Sequence, residues 1–325
     1  MAQLRFRRVV NKVGFNHEHL IDITEYSADD IMTILETAYR FKAVNERQIK
    51  KVPTLKGFTI VNMFNEPSTR TRSSFEMAEK RLSCDTLNFG GSSTSTVKGE
   101  SLVDTVATLC SYKVDLIVVR DKHAGAPYKV AQTSGVHVID AGDGKHQHPT
   151  QALLDLYSIW QVKGSFEGLN VGIVGDIAHS RVCGSLVPAL KTMGAHVTLI
   201  APPTLVPPRP DVLGVEHVTS NLDETLPELD VVYMLRVQRE RLEGAPFPSM
   251  REYSQLFGLN EQRDKLMKPD AIICHPGPIN RGIELDSFMA DHPTRSVILD
   301  QVYAGILVRM ATLYLLLGGN DGSHA

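Results

Sequence analysis

Between Glu66 and Arg72 the chain reads Glu66-Pro67-Ser68-Thr69-Arg70-Thr71-Arg72, three hydroxyls around an arginine where a short β-branched run meets a helical pattern. That combination suits an oxyanion. Ser68, Thr69 and Thr71 offer hydroxyl donors, the first turn of a helix offers unpaired N–H groups, and the planar fork of Arg70 matches phosphate oxygens. Plain N-capping would need only one Ser or Thr and would leave the arginines as surface charge. A second candidate is His148, whose successor Pro149 is favoured at the first position of a helix, placing the imidazole at the N-cap. The positive end of the helix dipole lowers an imidazole pKa, and a neutral ring can hydrogen-bond a carbonyl oxygen and hold the charge that develops there on attack. The simpler account is a cap alone, with Gln151 a surface residue one turn on. Arg120 ends an expected strand and, unaided, reads as a solvated strand end; Arg236 to Arg241 form a charge-rich run that reads equally as a solvated face or as cationic forks facing a cleft.

Two chemistries with similar residues are excluded by spacing. Gly90 to Lys98 combines glycines, hydroxyls and a lysine but lacks the Gly-Lys-Ser/Thr ending of a phosphate-binding P-loop. Val171 to Asp176 opens like a dinucleotide-binding turn, yet Asp176-Ile177-Ala178-His179 stands where the close-packed glycines would be.

The elements that must hold these residues alternate along the chain. Ser27 with Asp30 forms a capping-box pattern before Ile31, Ile34, Leu35 and Ala38, predicting a helix to about Lys42. Phe58–Phe64 reads as a strand, followed by a Pro-containing turn and a helix marked by Phe75, Ala78 and Leu82. Strands are expected near Asp115–Val119 and Val136–Ile139, then a helix through Leu153, Leu156, Tyr157 and Trp160, then a strand at Val171–Val174. A second unit repeats the theme: a helix near Val182–Met193, a strand at His196–Ile200, a Pro-rich loop at Pro202–Pro210, and strands at Val231–Leu235 and Ala271–Cys274. The expected fold class is therefore α/β: two domains, each a parallel sheet flanked by helices, with an apolar helix Gln301–Leu317 returning to the first domain. The boundaries expected are residues 1–145 plus 301–325 for the first domain and 146–300 for the second.

Composition agrees with an ordinary globular protein: 325 residues, 42% hydrophobic, 22% charged and a net charge of -3. No bulk basic surface points to nucleic acid. The apolar stretch Ile306–Leu317 is broken by Arg309 and is shorter than the ~20 residues of a membrane span, so neither a membrane nor a nucleic-acid partner is expected. The basic N-terminus lacks the apolar core and small-residue site of a secretory signal, which makes the cytoplasm the expected location. Cys84, Cys110, Cys183 and Cys274 show no ligand spacing and read as reduced thiols.

Five motifs in order carry a resemblance along the whole chain: Ser68-Thr69-Arg70-Thr71 with Arg72-Ser73-Ser74-Phe75-Glu76; Lys98-Gly99-Glu100-Ser101-Leu102; His148-Pro149-Thr150-Gln151; Tyr233-Met234-Leu235-Arg236-Val237-Gln238-Arg239-Glu240-Arg241-Leu242; and His275-Pro276-Gly277-Pro278. The chain resembles the aspartate and ornithine carbamoyltransferases. The last two motifs resemble the aspartate branch, since the ornithine branch usually shows His-Cys-Leu-Pro at the fifth. The resemblance implies transfer of a carbamoyl group from carbamoyl phosphate to the amine of L-aspartate, giving N-carbamoyl-L-aspartate and phosphate for pyrimidine synthesis, without metal or organic cofactor. The alternatives are transfer to ornithine or another amino acid, or a non-catalytic scaffold subunit; the presence of Arg70, His148, Lys98 and Arg236 weighs against the scaffold.

Roles follow from the same resemblance. Carbamoyl phosphate is expected to meet Ser68, Thr69, Arg70, Thr71, Arg120, His148, Gln151 and the carbonyls of Gly277 and Pro278, with Arg70, Thr71, Arg120 and His148 in catalytic roles. Ser95 and Lys98 are expected to enter from a neighbouring subunit of a homotrimer, with Thr94 the alternative to Ser95. Lys98, Arg181, Arg236 and Gln238 would hold aspartate, two cationic forks suiting its two carboxylates. Glu66 would bridge to Arg181 and Arg241 on domain closure. A regulatory chain or a dihydroorotase is the further partner the family suggests.

Overall fold

The computed structural model describes residues 15–90, 100–215, 217–238 and 249–318. The chain divides into two compact units, residues 1–153 with 304–325 and residues 154–303.

The first unit is built on four parallel strands, β1 (Thr59–Phe64), β2 (Asp85–Gly90), β3 (Leu116–Asp121) and β4 (His137–Asp143), in the order β2-β1-β3-β4. Ile60, Val61, Ile117, Val118 and Val119 are all fully buried, so the central strands are covered on both faces. That is why they read as near-continuous apolar runs rather than alternating ones. The edge strand β2 differs: Asp85, Leu87 and Asn88 are exposed. Because β2 lies on one side of β1 and β3 on the other, strand order reverses between β1 and β3. Loops leaving the carboxyl ends of such neighbours diverge and open a crevice, the usual ligand position in an open α/β sheet.

The helix Ala28–Asn45 opens with the expected reciprocal capping box, Ser27 and Asp30 each bonding the other's backbone N–H, and continues three residues beyond Lys42. The C-terminal helix Ile298–Leu316 has the length and composition of a membrane span, longer than the Ile306–Leu317 stretch suggested, and most of it is buried. Its Tyr314 meets Phe41 edge-on at 5.7 Å, placing the end of the chain on the first unit.

The second unit holds β5 (Asn170–Val174), β6 (His196–Ile200), β7 (His217–Thr219), β8 (Val231–Met234) and β9 (Ile272–Cys274), all parallel, in the order β7-β6-β5-β8-β9. Its reversal point lies between β5 and β8. The Pro-rich loop holds two short 3-10 turns, Pro203–Leu205 and Pro210–Leu213. All four cysteines are free, and burial pushes the Cys84 and Cys183 thiols up to about 12, which keeps them unreactive.

Candidate active site

Both reversal points carry the residues singled out above. In the first unit, β1 ends at Phe64 and its loop is tied to the end of β3: the Asn65 N–H donates to the Arg120 carbonyl at 2.9 Å, and Asn65 Nδ2 donates to Asp121 Oδ2 at 2.9 Å. The helix Thr69–Leu82 then begins at Ser68, an extended residue whose hydroxyl makes no capping bond. Ser68 therefore does not act as the side-chain cap that plain N-capping would require of it. Ser68 is half-buried, Thr69 and Arg70 are exposed, and Thr71 turns inward.

Thr71 Oγ1 lies 3.5 Å from Nε2 of His148, which is buried. Two bonds set the histidine's place in the chain. The Gln147 N–H donates to Asp143 Oδ1 at 2.8 Å, and the Asp143 N–H donates to the Gln147 carbonyl at 3.1 Å, so the segment before the helix Pro149–Lys163 is folded back on the end of β4. The His148 carbonyl accepts from Gln151 N–H at 2.9 Å, and Gln151 follows one turn on, buried rather than at the surface. Arg120 is 14% exposed; it donates to the Ala141 carbonyl at 3.2 Å and lies 3.6 Å from Glu66 Oε1. The Arg120 guanidinium is thus held at the same reversal point, between the Ala141 carbonyl and the Glu66 carboxylate.

Arg309, which sequence reasoning used only as an interruption, holds this unit together from beneath. It is 3% exposed, donates to Ser74 Oγ at 2.8 Å and to Thr150 Oγ1 at 3.4 Å, and stacks 5.0 Å from the Phe75 ring centroid. It thus links the helix that starts at the cradle with the helix that starts at His148. The signal was available: one arginine inside an otherwise apolar helix must find polar partners if buried.

In the second unit, Arg181 is the first residue of the helix Arg181–Thr192 after β5 and is 6% exposed. After β8 burial alternates: Leu235 and Val237 are buried, while Arg236 and Gln238 are half-buried, the pattern that a period of two gives. Gln238 is fixed to the β5 loop, its N–H donating to Asp176 Oδ2 at 3.2 Å and its Nε2 to the His179 carbonyl at 3.0 Å. Asp176 is fully buried and bonds His179 Nδ1 at 2.7 Å, so the residue that replaces a dinucleotide-loop glycine holds together the two loops at this reversal point. Gly277 and Pro278 follow β9 in a turn, Gly277 at φ +65°. Ser95, Thr94, Lys98 and Arg241 lie outside the described residues. Among the described residues no cluster of His, Cys, Asp or Glu is suited to hold a metal ion.

Known proteins match along this whole arrangement. The family model of the aspartate/ornithine carbamoyltransferase carbamoyl-P binding domain matches residues 18–161, and that of the Asp/Orn binding domain matches residues 167–316. The aspartate carbamoyltransferase catalytic subunit of Syntrophotalea carbinolica is 53% identical over 307 residues, 94% of this chain and 97% of that one. Among solved structures, the aspartate transcarbamoylase of Trypanosoma cruzi in complex with carbamoyl phosphate and aspartate superposes with a TM-score of 0.83 at 29% identity, covering 93% of this chain and 97% of that one. The ornithine carbamoyltransferase of Pyrococcus furiosus gives 0.82 at 30% identity, covering 94% and 98%.

Proposed function

The chain belongs to the aspartate/ornithine carbamoyltransferase family, and we propose that it transfers the carbamoyl group of carbamoyl phosphate to the amine of L-aspartate, giving N-carbamoyl-L-aspartate and phosphate in pyrimidine biosynthesis. One observation carries the reading: at a sheet reversal point a helix begins with Ser68 to Arg70 at the surface end of its first turn, and its Thr71 Oγ1 lies 3.5 Å from Nε2 of the buried His148.

The reaction needs a dianion gripped, a carbonyl polarised and an amine held at attack distance. Ser68, Thr69, Arg70 and the first-turn N–H groups serve the phosphate, whose departure they favour by stabilising the charge it carries away. Thr71, Arg120 and His148 face the carbonyl oxygen, where negative charge grows as the amine adds. Gln151 and the carbonyls of Gly277 and Pro278 orient the carbamoyl nitrogen and the amine. Arg181 and Arg236 take one aspartate carboxylate each, with Gln238 and Lys98 beside them. Glu66, with Arg181 and Arg241, couples aspartate binding to the exclusion of water. In this assignment residues 1–145 plus 301–325 bind carbamoyl phosphate and residues 146–300 bind aspartate.

Aspartate is favoured over ornithine by His275-Pro276-Gly277-Pro278 and by the naming of the relatives about half identical to the chain. The same reading makes the enzyme a cytoplasmic homotrimer in which Ser95 and Lys98 serve a neighbour's site, a regulatory chain or dihydroorotase being its further partner. The oligomer is supported by two exposed apolar side chains, Leu87 and Tyr112, which share the lining of a cavity of about 340 Å³ with Phe89 and Leu109. The purified protein, given carbamoyl phosphate with aspartate or ornithine in parallel, should form ureido product with aspartate; product only with ornithine would move the assignment to the other branch.

A further inference from the structure

Behind the Gly277–Pro278 turn runs a chain of buried polar groups. The Gly277 N–H donates to Nδ1 of His275 at 2.8 Å, so Nδ1 keeps its lone pair and the ring proton sits on Nε2, 3.3 Å from Glu284 Oε1. That oxygen also accepts the Asn280 N–H at 2.6 Å, so Glu284 holds the turn from its far side. The His275 N–H donates to Gln301 Oε1 at 2.9 Å, Gln301 Nε2 donates to Asp155 Oδ1 at 2.7 Å, and the Tyr233 hydroxyl donates to Asp155 Oδ2 at 2.6 Å. His275, Glu284, Gln301, Asp155 and Tyr233 are each at most 2% exposed.

Apolar side chains would fill this space without the cost of desolvating five polar ones. What the polar chain adds is direction. A histidine accepting the N–H two residues on makes the bond of an Asx turn, and it holds Gly277 in the left-handed conformation that a glycine adopts freely.

We infer that His275 is a positioning residue for carbamoyl transfer: its Nδ1 fixes the Gly277 peptide and thereby aims the Gly277 and Pro278 carbonyls, while Glu284 and Gln301 lock its ring and backbone. The inference rests on the functional reading above, in which those carbonyls orient the substrates.

Three substitutions separate positioning from simple stability. In His275→Asn the side-chain oxygen can accept the Gly277 N–H but cannot reach Glu284; in His275→Gln the amide can reach Glu284 but leaves the Gly277 N–H without its acceptor; His275→Ala loses both. The Asn variant should keep kcat/KM for aspartate within a few-fold of wild type while its Tm falls. The Gln variant should keep the higher Tm while kcat/KM falls about 100-fold, the scale of a misplaced reacting group. Hydrogen exchange of the peptide spanning Gly277 should be slow in wild type and Asn and fast in Gln and Ala, a readout independent of turnover. If Ala does not fold, the Asn and Gln pair carries the comparison. Activity that follows Tm across the variants, or equal loss in Asn and Gln, overturns the inference while leaving the functional reading intact. A wild-type protein that makes no N-carbamoyl-L-aspartate removes that reading, and the inference with it.

Discussion

Arg70 shows how residue type and placement combine. It sits in the first turn of a helix whose N-cap residue, Ser68, makes no side-chain capping bond, and in the proposed reading its guanidinium adds charge to the donors of that helix start. Replacing Arg70 with Ala should lower kcat by about 10²- to 10³-fold, the cost of losing one preorganised donor to the charge that moves in the transition state. Steady-state rates of ureido product formation measure it, and a loss confined to KM would assign Arg70 to ground-state binding instead. Farther along the same helix Glu79 is fully buried, bonded to Asn62 Nδ2 at 3.0 Å, and burial pushes its carboxyl from 4.5 up to about 7. Between those values the folded chain holds a proton that the unfolded chain has released, so stability is greatest below pH 4.5 and is lost as pH rises through about 7. The loss amounts to roughly 3 kcal/mol from one such shift. Urea unfolding from pH 5 to 8 should show wild type weakening relative to Glu79→Gln, which carries no titrating group there; parallel curves would mean that Glu79 does not titrate in this window.

At the scale of elements, what could be read from the sequence was what repeats. Central strands such as Thr59–Phe64 and Asn170–Val174 declare themselves because burial on both faces favours near-continuous apolar runs rich in Ile and Val. The edge strands Asp85–Gly90 and His217–Thr219 were missed for the converse reason: exposed and half polar, they look like loop, and only pairing with a neighbour makes them strands. The helix starts at Thr69 and Pro149 were legible because helix-start signals are local, whereas the Arg309 clamp and the Asp176 link are set by contacts between elements that no local pattern encodes. Asp155 is of this second kind. Buried on the helix Pro149–Lys163, it is joined to β8 by the Tyr233 hydroxyl, and burial together with the adjacent Asp155 raises the phenol well above its ordinary value, so the phenol stays a donor. Tyr233→Phe keeps the ring and withdraws that donor from a buried carboxylate, which should cost about 1–3 kcal/mol in urea unfolding. A variant as stable as wild type would mean that the bond adds nothing net.

For the whole molecule, the proposed homotrimer turns the two sets of site residues into an arithmetic test. Arg70 is proposed to act in the site of its own subunit and Lys98 in a neighbour's. Arg70→Ala and Lys98→Ala proteins should each be nearly inactive alone. When the two are mixed and allowed to exchange subunits, a site becomes intact wherever a Lys98→Ala subunit supplies the cradle and an Arg70→Ala subunit supplies the lysine. Random assembly from equal amounts makes that pairing in about one quarter of sites, because each of the two positions is filled correctly half the time in a closed ring of equivalent contacts. Activity should therefore rise from near zero towards about a quarter of wild type on exchange, and the rise should follow the appearance of mixed oligomers by native mass spectrometry. If both residues act within one chain, mixing creates no intact site, and activity stays at the background of the separate variants however thoroughly the subunits exchange.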